Sequence, residues 1–271
     1  MRIAISHTTR YRFDTPARYG VQRLRLRPRD CAVQSVLEWD LTVDGAVVEA
    51  VYDDHNGNAT SLISFGNGVE EVVITAHALV EVRDAAGVVG PHTGFMPLWL
   101  FRNPTALTKP GPKMRDLAKR FTLGAQADVE VLHALSAAVK EAVAYETGQT
   151  AVTTTGEQAL EIGRGVCQDH AHVFIGAARL LGLPARYVSG HLLLDAGTAQ
   201  DAGHAWAEVH VPGLGWVGFD PSNEICPDSR YVRVAVGADY AEAAPVTSLT
   251  QGAGASGLSV SLDVAQQLMA Q

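Results

Sequence analysis

The strongest constraint on the fold is a change of hydrophobic period part-way along the chain. Up to about residue 104, apolar and polar residues alternate in short stretches such as Leu24 to Arg27, Leu37 to Val43 and Val72 to Val82. Period two is the mark of half-buried strands. Turn signals separate them: Asp44-Gly45, His55-Asn56-Gly57-Asn58 and Asn67-Gly68. Residues 1–104 are therefore expected to form an all-β, sandwich-like domain. Pro104 to Lys113 carries three prolines and two lysines with little apolar content, and reads as a linker. Beyond it, Val131, Leu132, Leu135, Ala138, Val139, Ala142 and Val143 recur at three and four residues, which predicts one buried face of a helix with Asp128 placed to cap it.

Two further helices follow. Thr155 with Gln158 three positions on is a capping-box pattern, opening a short helix that runs to Ile162. A longer one should start near Val166, after Gly163-Arg164-Gly165, and stop at Gly182 with Pro184 just beyond. Period two then returns. Ala205, Ala207, Val209 and Val211 make an apolar face, His204, Trp206, Glu208 and His210 the opposite one, and Pro212-Gly213-Leu214-Gly215 turns the chain into Trp216 to Asp220. The whole chain is expected to be α+β. Residues 105–247 form the core, and 248–271 a flexible Gly/Ser/Thr-rich loop followed by a last strand at Leu258 to Val264.

Composition removes several classes of function. The 271 residues are 47% hydrophobic and 18% charged, which is globular, and a net charge of -8 offers no electrostatic footprint for nucleic acid or an anionic membrane. The first residues, MRIAISHTTRYRF, alternate instead of forming the apolar run of a signal peptide, and no stretch approaches the about 20 apolar residues of a membrane span. A cytoplasmic protein without a membrane partner is expected. The three cysteines, Cys31, Cys167 and Cys226, form neither a disulfide framework nor a CxxC pair.

Cys167 falls in the first turn of the third helix. An isolated cysteine is most often a small buried hydrophobe. Here, however, the macrodipole and the unpaired N–H groups of a helix tip favour a thiolate, and the same N–H groups suit an oxyanion. A thiolate enzyme also needs an imidazole and a group that holds it. The hairpin supplies both. If Asp220 pairs opposite Trp206, the loop is residues 212–214 and Asp220 becomes the diagonal neighbour of His204 on one face. A one-residue slip would separate them. Each residue alone has an ordinary reading: His204 as a solvated strand residue, Asp220 as the opening of an Asp-Pro turn.

The stretch GRGVCQDHAHVFIGAARLLGLPARYVSG, followed by GHAWAEVHVPGLGWVGFDPSN, resembles the core of the bacterial transglutaminase-like family. HTTRYRF, RLRLRP and DDHNGN resemble the β-rich domain that accompanies that core. The resemblance implies a papain-like fold of helices packed on an antiparallel sheet, with a Cys, His, Asp triad falling on Cys167, His204 and Asp220. It implies a peptide or amide substrate and no cofactor. Two departures stand out: Gly237-Ala238-Asp239-Tyr240 lacks the arginine of the usual Gly-Arg-Asp-Tyr, and His191 replaces the tyrosine that often follows Val-Ser-Gly.

Lesser candidates surround the triad. Gln168 could donate its backbone N–H to an oxyanion, or lie on the helix surface. Trp206 could shield the pair from water or wall the cleft, with a core position as the alternative. Tyr145, ending the first long helix, could point its hydroxyl at the cleft, although packing explains it as well. Asp169, His170 and His172 suggest a metal, but residues 170 and 172 are about 200° apart on a helix, so no metal is expected. The expected reaction is acyl transfer through a thioester, released by water (peptidase or amidase) or, alternatively, by a primary amine (transamidation). A binding module without catalysis is the third reading.

Overall fold

A computed structural model describes residues 1–124, 129–194, 199–200, 203–252 and 256–267. The alternating stretches form β1 (Arg2–Ala17), β2 (Tyr19–Arg27), β3 (Gln34–Asp44), β4 (Val47–Asp53), β5 (Ala59–Phe65), β6 (Val69–Val82) and the short β7 (Val88–Gly90). A 3₁₀ turn (Leu98–Arg102) leads to α1 (Pro112–Ala118), α2 (Val129–Ala142), β8 (Ala144–Tyr145), α3 (Gly156–Ile162), β9 (Arg164–Gly165) and α4 (Cys167–Leu180). Then come β10 (Ala185–Leu192), β11 (Ala199–Gln200), β12 (His204–Val211), β13 (Gly215–Phe219), β14 (Tyr231–Gly237), α5 (Tyr240–Ala243), β15 (Val246–Gln251) and β16 (Ser256–Gln266). The architecture is α+β.

Two antiparallel sheets, ordered β11-β16-β1-β6-β3 and β15-β2-β5-β4, face each other across Phe13, Leu24, Leu26, Ile63, Phe65, Val72 and Ile74. β1 and β6, at 16 and 14 residues, are longer than most strands. Their other ends, with Ile3, Ile5, Ala78, Val80 and Val82, bury Val232 of β14 instead. One sheet thus serves two cores. The third sheet, β14-β10-β12-β13-β7, carries α4 on one face.

α4 is buried on all sides from Asp169 to Arg179, as a central helix lined with small residues can be. Gly176 permits the closest approach: a Cβ there would lie 2.3 Å from Met114 Sδ of α1. Thr155 and Gln158 make the expected reciprocal cap on α3, and Gly163 ends it at φ 73°.

Three expectations need correction. The segment 104–113 is not a bare linker: Thr108 is fully buried and accepts a 2.7 Å hydrogen bond from Arg179 Nη1, and Glu157 caps α1 at the N–H groups of Gly111, Lys113 and Met114. Proline and glycine report lost backbone regularity, not exposure. Residues 246–251 form β15 against β2, and β16 pairs with β1 from Ile3↔Gln266 to Phe13↔Ser256, so residues 248–251 and 256–257 of the expected loop are strand, while 253–255 lie outside the described residues. Register across so long a sequence separation leaves no local trace. The second face of β12 is buried as well, with Trp206 in the core and Glu208 between Arg186 and Arg233 at 2.7 and 2.6 Å. Finally, Tyr145 lies in β8, past the end of α2, where β8 pairs in parallel with β9. Asp128 lies outside the described residues.

Candidate active site

Cys167 is the first residue of α4, with Val166 extended before it. Asp169 fixes this turn. Its Oδ2 accepts from the Val166 N–H at 2.8 Å and from Thr150 Oγ1 at 2.7 Å. Gly165 is required beside it, since a Cβ there would lie 2.6 Å from Asp169 Oδ2. Burial raises the Asp169 carboxyl above its usual range, against those hydrogen bonds. Gln168 extends from the same turn and donates Nε2 to Val152 O at 3.0 Å. The loop before α3 is therefore tied to the tip of α4 at two points.

His204 opens β12 and Asp220 follows β13. The strands pair from Ala207↔Phe219 to Val211↔Gly215, so residues 212–214 close the hairpin and Asp220 is next in line opposite Trp206. In this register, His204 Nε2 donates to Asp220 Oδ2 at 2.7 Å. Cys167 interacts electrostatically with the same imidazole. With Nε2 occupied by Asp220, Nδ1 is the nitrogen left for the sulfur.

The electrostatics follow from burial and pairing. Burial disfavours the imidazolium, yet the hydrogen bond to Asp220 and the attraction of Asp220 and Cys167 outweigh it, raising His204 from 6.5 to about 10. Asp220 is fully buried, and burial pushes its carboxyl up. The hydrogen bonds and charge of His204, with those from Asn223 and Tyr231, more than reverse this and hold it below the usual range. The ring of His204 lies against Trp206 at 6.2 Å and 27° and meets Tyr231 edge-on at 5.8 Å and 62°.

The lesser candidates divide. Trp206 contacts His204 and is also packed among Val188, Leu192, Tyr231 and Val236. Tyr145 is 54% exposed, and burial together with the charges of Cys167 and Asp220 raises its hydroxyl. Gln168 is partly exposed at the helix tip. His170 and His172 do not converge. His170 bonds Val143 O and Ser222 Oγ, both at 2.8 Å, and His172 Nε2 accepts from the Tyr240 N–H. His191 packs on His7, ring centroids 5.8 Å apart. Ala238 O accepts from Arg179 Nη2 at 2.6 Å.

Sequence reasoning missed Asn223, Ser222 and Tyr231. The Ser222 N–H on Asp220 Oδ1 at 2.9 Å is an Asp-Pro turn contact that was open to inference. Tyr231, eleven residues from Asp220, had no local signal.

Comparison with known proteins identifies the family and the fold. The family model described as the transglutaminase-like superfamily matches residues 115–221, and the bacterial transglutaminase-like N-terminal region matches residues 3–81. An uncharacterized protein of Mycobacterium tuberculosis is 30% identical over 276 residues, covering 92% of this chain and 87% of that one. The chain belongs to the bacterial transglutaminase-like family. Another relative, an uncharacterized protein of Mycobacterium leprae, is 28% identical over 281 residues, covering 97% and 98% of the two chains. The fold of this transglutaminase-like chain also matches a crystal structure from Cytophaga hutchinsonii, described as a candidate cysteine protease. The TM-score is 0.78 at 20% identity, over 100% of this chain and 92% of that one. Among the described residues, no helix is long and apolar enough to cross a membrane.

Proposed function

We propose that this transglutaminase-like protein is a cysteine hydrolase that cleaves an amide bond through a thioester, with Cys167 as nucleophile, His204 as acid and base, and Asp220 orienting His204. The observation that carries the reading is the arrangement of His204, bonded at 2.7 Å to Asp220 through Nε2 while the charge of Cys167 acts on the same ring. The transglutaminase-like family model, and the description of the Cytophaga hutchinsonii structure as a candidate cysteine protease, support a cysteine-dependent activity.

In the first half-reaction, Sγ attacks the carbonyl carbon, forming an S–C bond and a tetrahedral oxyanion. The first-turn N–H groups of α4, that of Gln168 among them, are the donors for it. As the C–N bond breaks, His204 gives its proton to the departing amine. In the second, His204 takes a proton from water, the hydroxyl attacks the thioester, and the S–C bond breaks to release the acid and the thiol. Throughout, Asp220 keeps the imidazole aligned and offsets its positive charge.

The test is Cys167→Ala. Turnover is expected to fall by about a thousandfold or more, with the thermal unfolding midpoint nearly unchanged because the replaced side chain is small and only half-buried. Acylated Cys167, caught by mass spectrometry from a wild-type reaction, is the expected intermediate. Full activity in Cys167→Ala would end the reading. Supplying a labelled primary amine separates the two releases. Free acid as the main product supports hydrolysis, and amine incorporation as the main product replaces it with transamidation.

A further inference from the structure

We infer that Tyr231 and Asn223 are positioning residues that set how strongly Asp220 holds His204, by donating hydrogen bonds to the carboxylate oxygen that the imidazole uses. The inference rests on the triad reading above and deepens it. Asp220 Oδ2 accepts three hydrogen bonds, each 2.7 Å: from His204 Nε2, from Asn223 Nδ2 and from Tyr231 OH. Oδ1 takes only backbone donors, Ser222 N–H at 2.9 Å and a longer Asn223 N–H at 3.4 Å. A carboxylate has about four lone-pair sites on its two oxygens. Three side-chain donors on one oxygen therefore share its charge, and each weakens what the others receive.

The phenol is oriented for this. Asn223 Nδ2 also lies 3.4 Å from Tyr231 OH, so the phenol oxygen accepts from the amide and its hydrogen is left for Asp220. The Tyr231 ring stands edge-on to both His204 and Trp206, with centroids 5.8 and 5.4 Å apart. One side chain thus both caps the carboxylate and braces the ring that the carboxylate holds. Burial and the Asp220 charge raise the Tyr231 hydroxyl, which keeps it a donor across any working pH.

The other ionisable groups in range are few. Cys167 acts on His204 directly, Tyr145 and His170 feel Asp220, and Asp228 acts on Tyr231. Neither proposed substitution touches them.

The experiment is Tyr231→Phe, which keeps the ring and removes one donor, alongside Asn223→Ala. The titration midpoint of the His204 imidazole is read by NMR on the full-length protein with labelled histidine, the signal being assigned by its loss in His204→Gln. With one competitor gone, Oδ2 binds the imidazolium more strongly, and the midpoint should rise by about half a pH unit or more in Tyr231→Phe. Asn223→Ala should shift it the same way. The basic limb of kcat/KM should move with it, and kcat should change more than KM. A purely structural tyrosine would alter the unfolding midpoint and leave the His204 titration in place. An unchanged or lowered His204 midpoint in folded Tyr231→Phe overturns the inference. If that variant does not fold, Asn223→Ala decides by the same criterion. The NMR readout needs no substrate, so activity surviving in Cys167→Ala would sink the proposed function while the His204 shift still judged this inference.

Discussion

At the residue scale, the site depends on a charged group kept charged where burial opposes it. Asp220 and His204 achieve this for each other, which makes them sensitive to loss of a partner. Asp220→Ala removes the leading cause that raises His204, so the imidazole midpoint should fall from about 10 toward 6.5. It also leaves the Tyr231 hydroxyl and the Ser222 N–H without their acceptor in a buried site. That should destabilise the fold by about 2–4 kcal/mol in denaturant titrations. Turnover should suffer less than in His204→Ala, since Asp220 acts only through the ring. A His204 midpoint that stays near 10 in Asp220→Ala would show that Cys167 alone sustains it.

At the scale of elements, α4 places Cys167 at its tip, and two other helices position α4. α3 and α1 are joined by one carboxylate: Glu157 accepts from the N–H groups of Gly111, Lys113 and Met114 at 3.0, 2.8 and 3.0 Å. It stands at the N-terminus of α1 although it belongs to α3. Glu157→Ala should therefore cost about 1–3 kcal/mol of stability, more than a surface glutamate, measured by chemical denaturation. Met114, which α1 presses against Gly176 of α4, carries the effect toward α4 and Cys167.

At the scale of the molecule, the two halves are interlocked, because β7 joins the core sheet while β15 and β16 return to the first two sheets. Leu262 of β16 is fully buried, so Leu262→Ala should cost about 2–4 kcal/mol, the loss of a core leucine and not of a tail residue. The junction between the halves holds His7 against His191. Burial lowers them to about 4 and about 3, with His7 adding to the effect on His191. The sign follows: the unfolded histidines take up protons below about 6.5 while the folded ones do not, so stability falls as pH drops from 6.5 toward those lower values. Asp220 and Glu208, held low in the folded state, lose their contribution at still lower pH. His191→Leu should shrink the stability difference between pH 7 and pH 5 by about 2 kcal/mol. Equal pH dependence in the variant would mean that His191 is not the buried neutral group described.

What the sequence determined by itself was everything carried by short-range pattern. The strand alternation, the cap at Thr155, the start of α4 at Cys167 and the facing of the hairpin all follow from periods of two or 3.6 and from turn residues. The His204–Asp220 pair was legible because only sixteen residues and one tight loop separate its members. Tertiary structure alone decided the rest. The donors that converge on Asp220 Oδ2, the burial of Trp206 and Glu208, and the pairing of β16 with β1 each need segments that nothing local holds together. Their contacts form only when the closing of long loops is offset by burial that the finished fold provides.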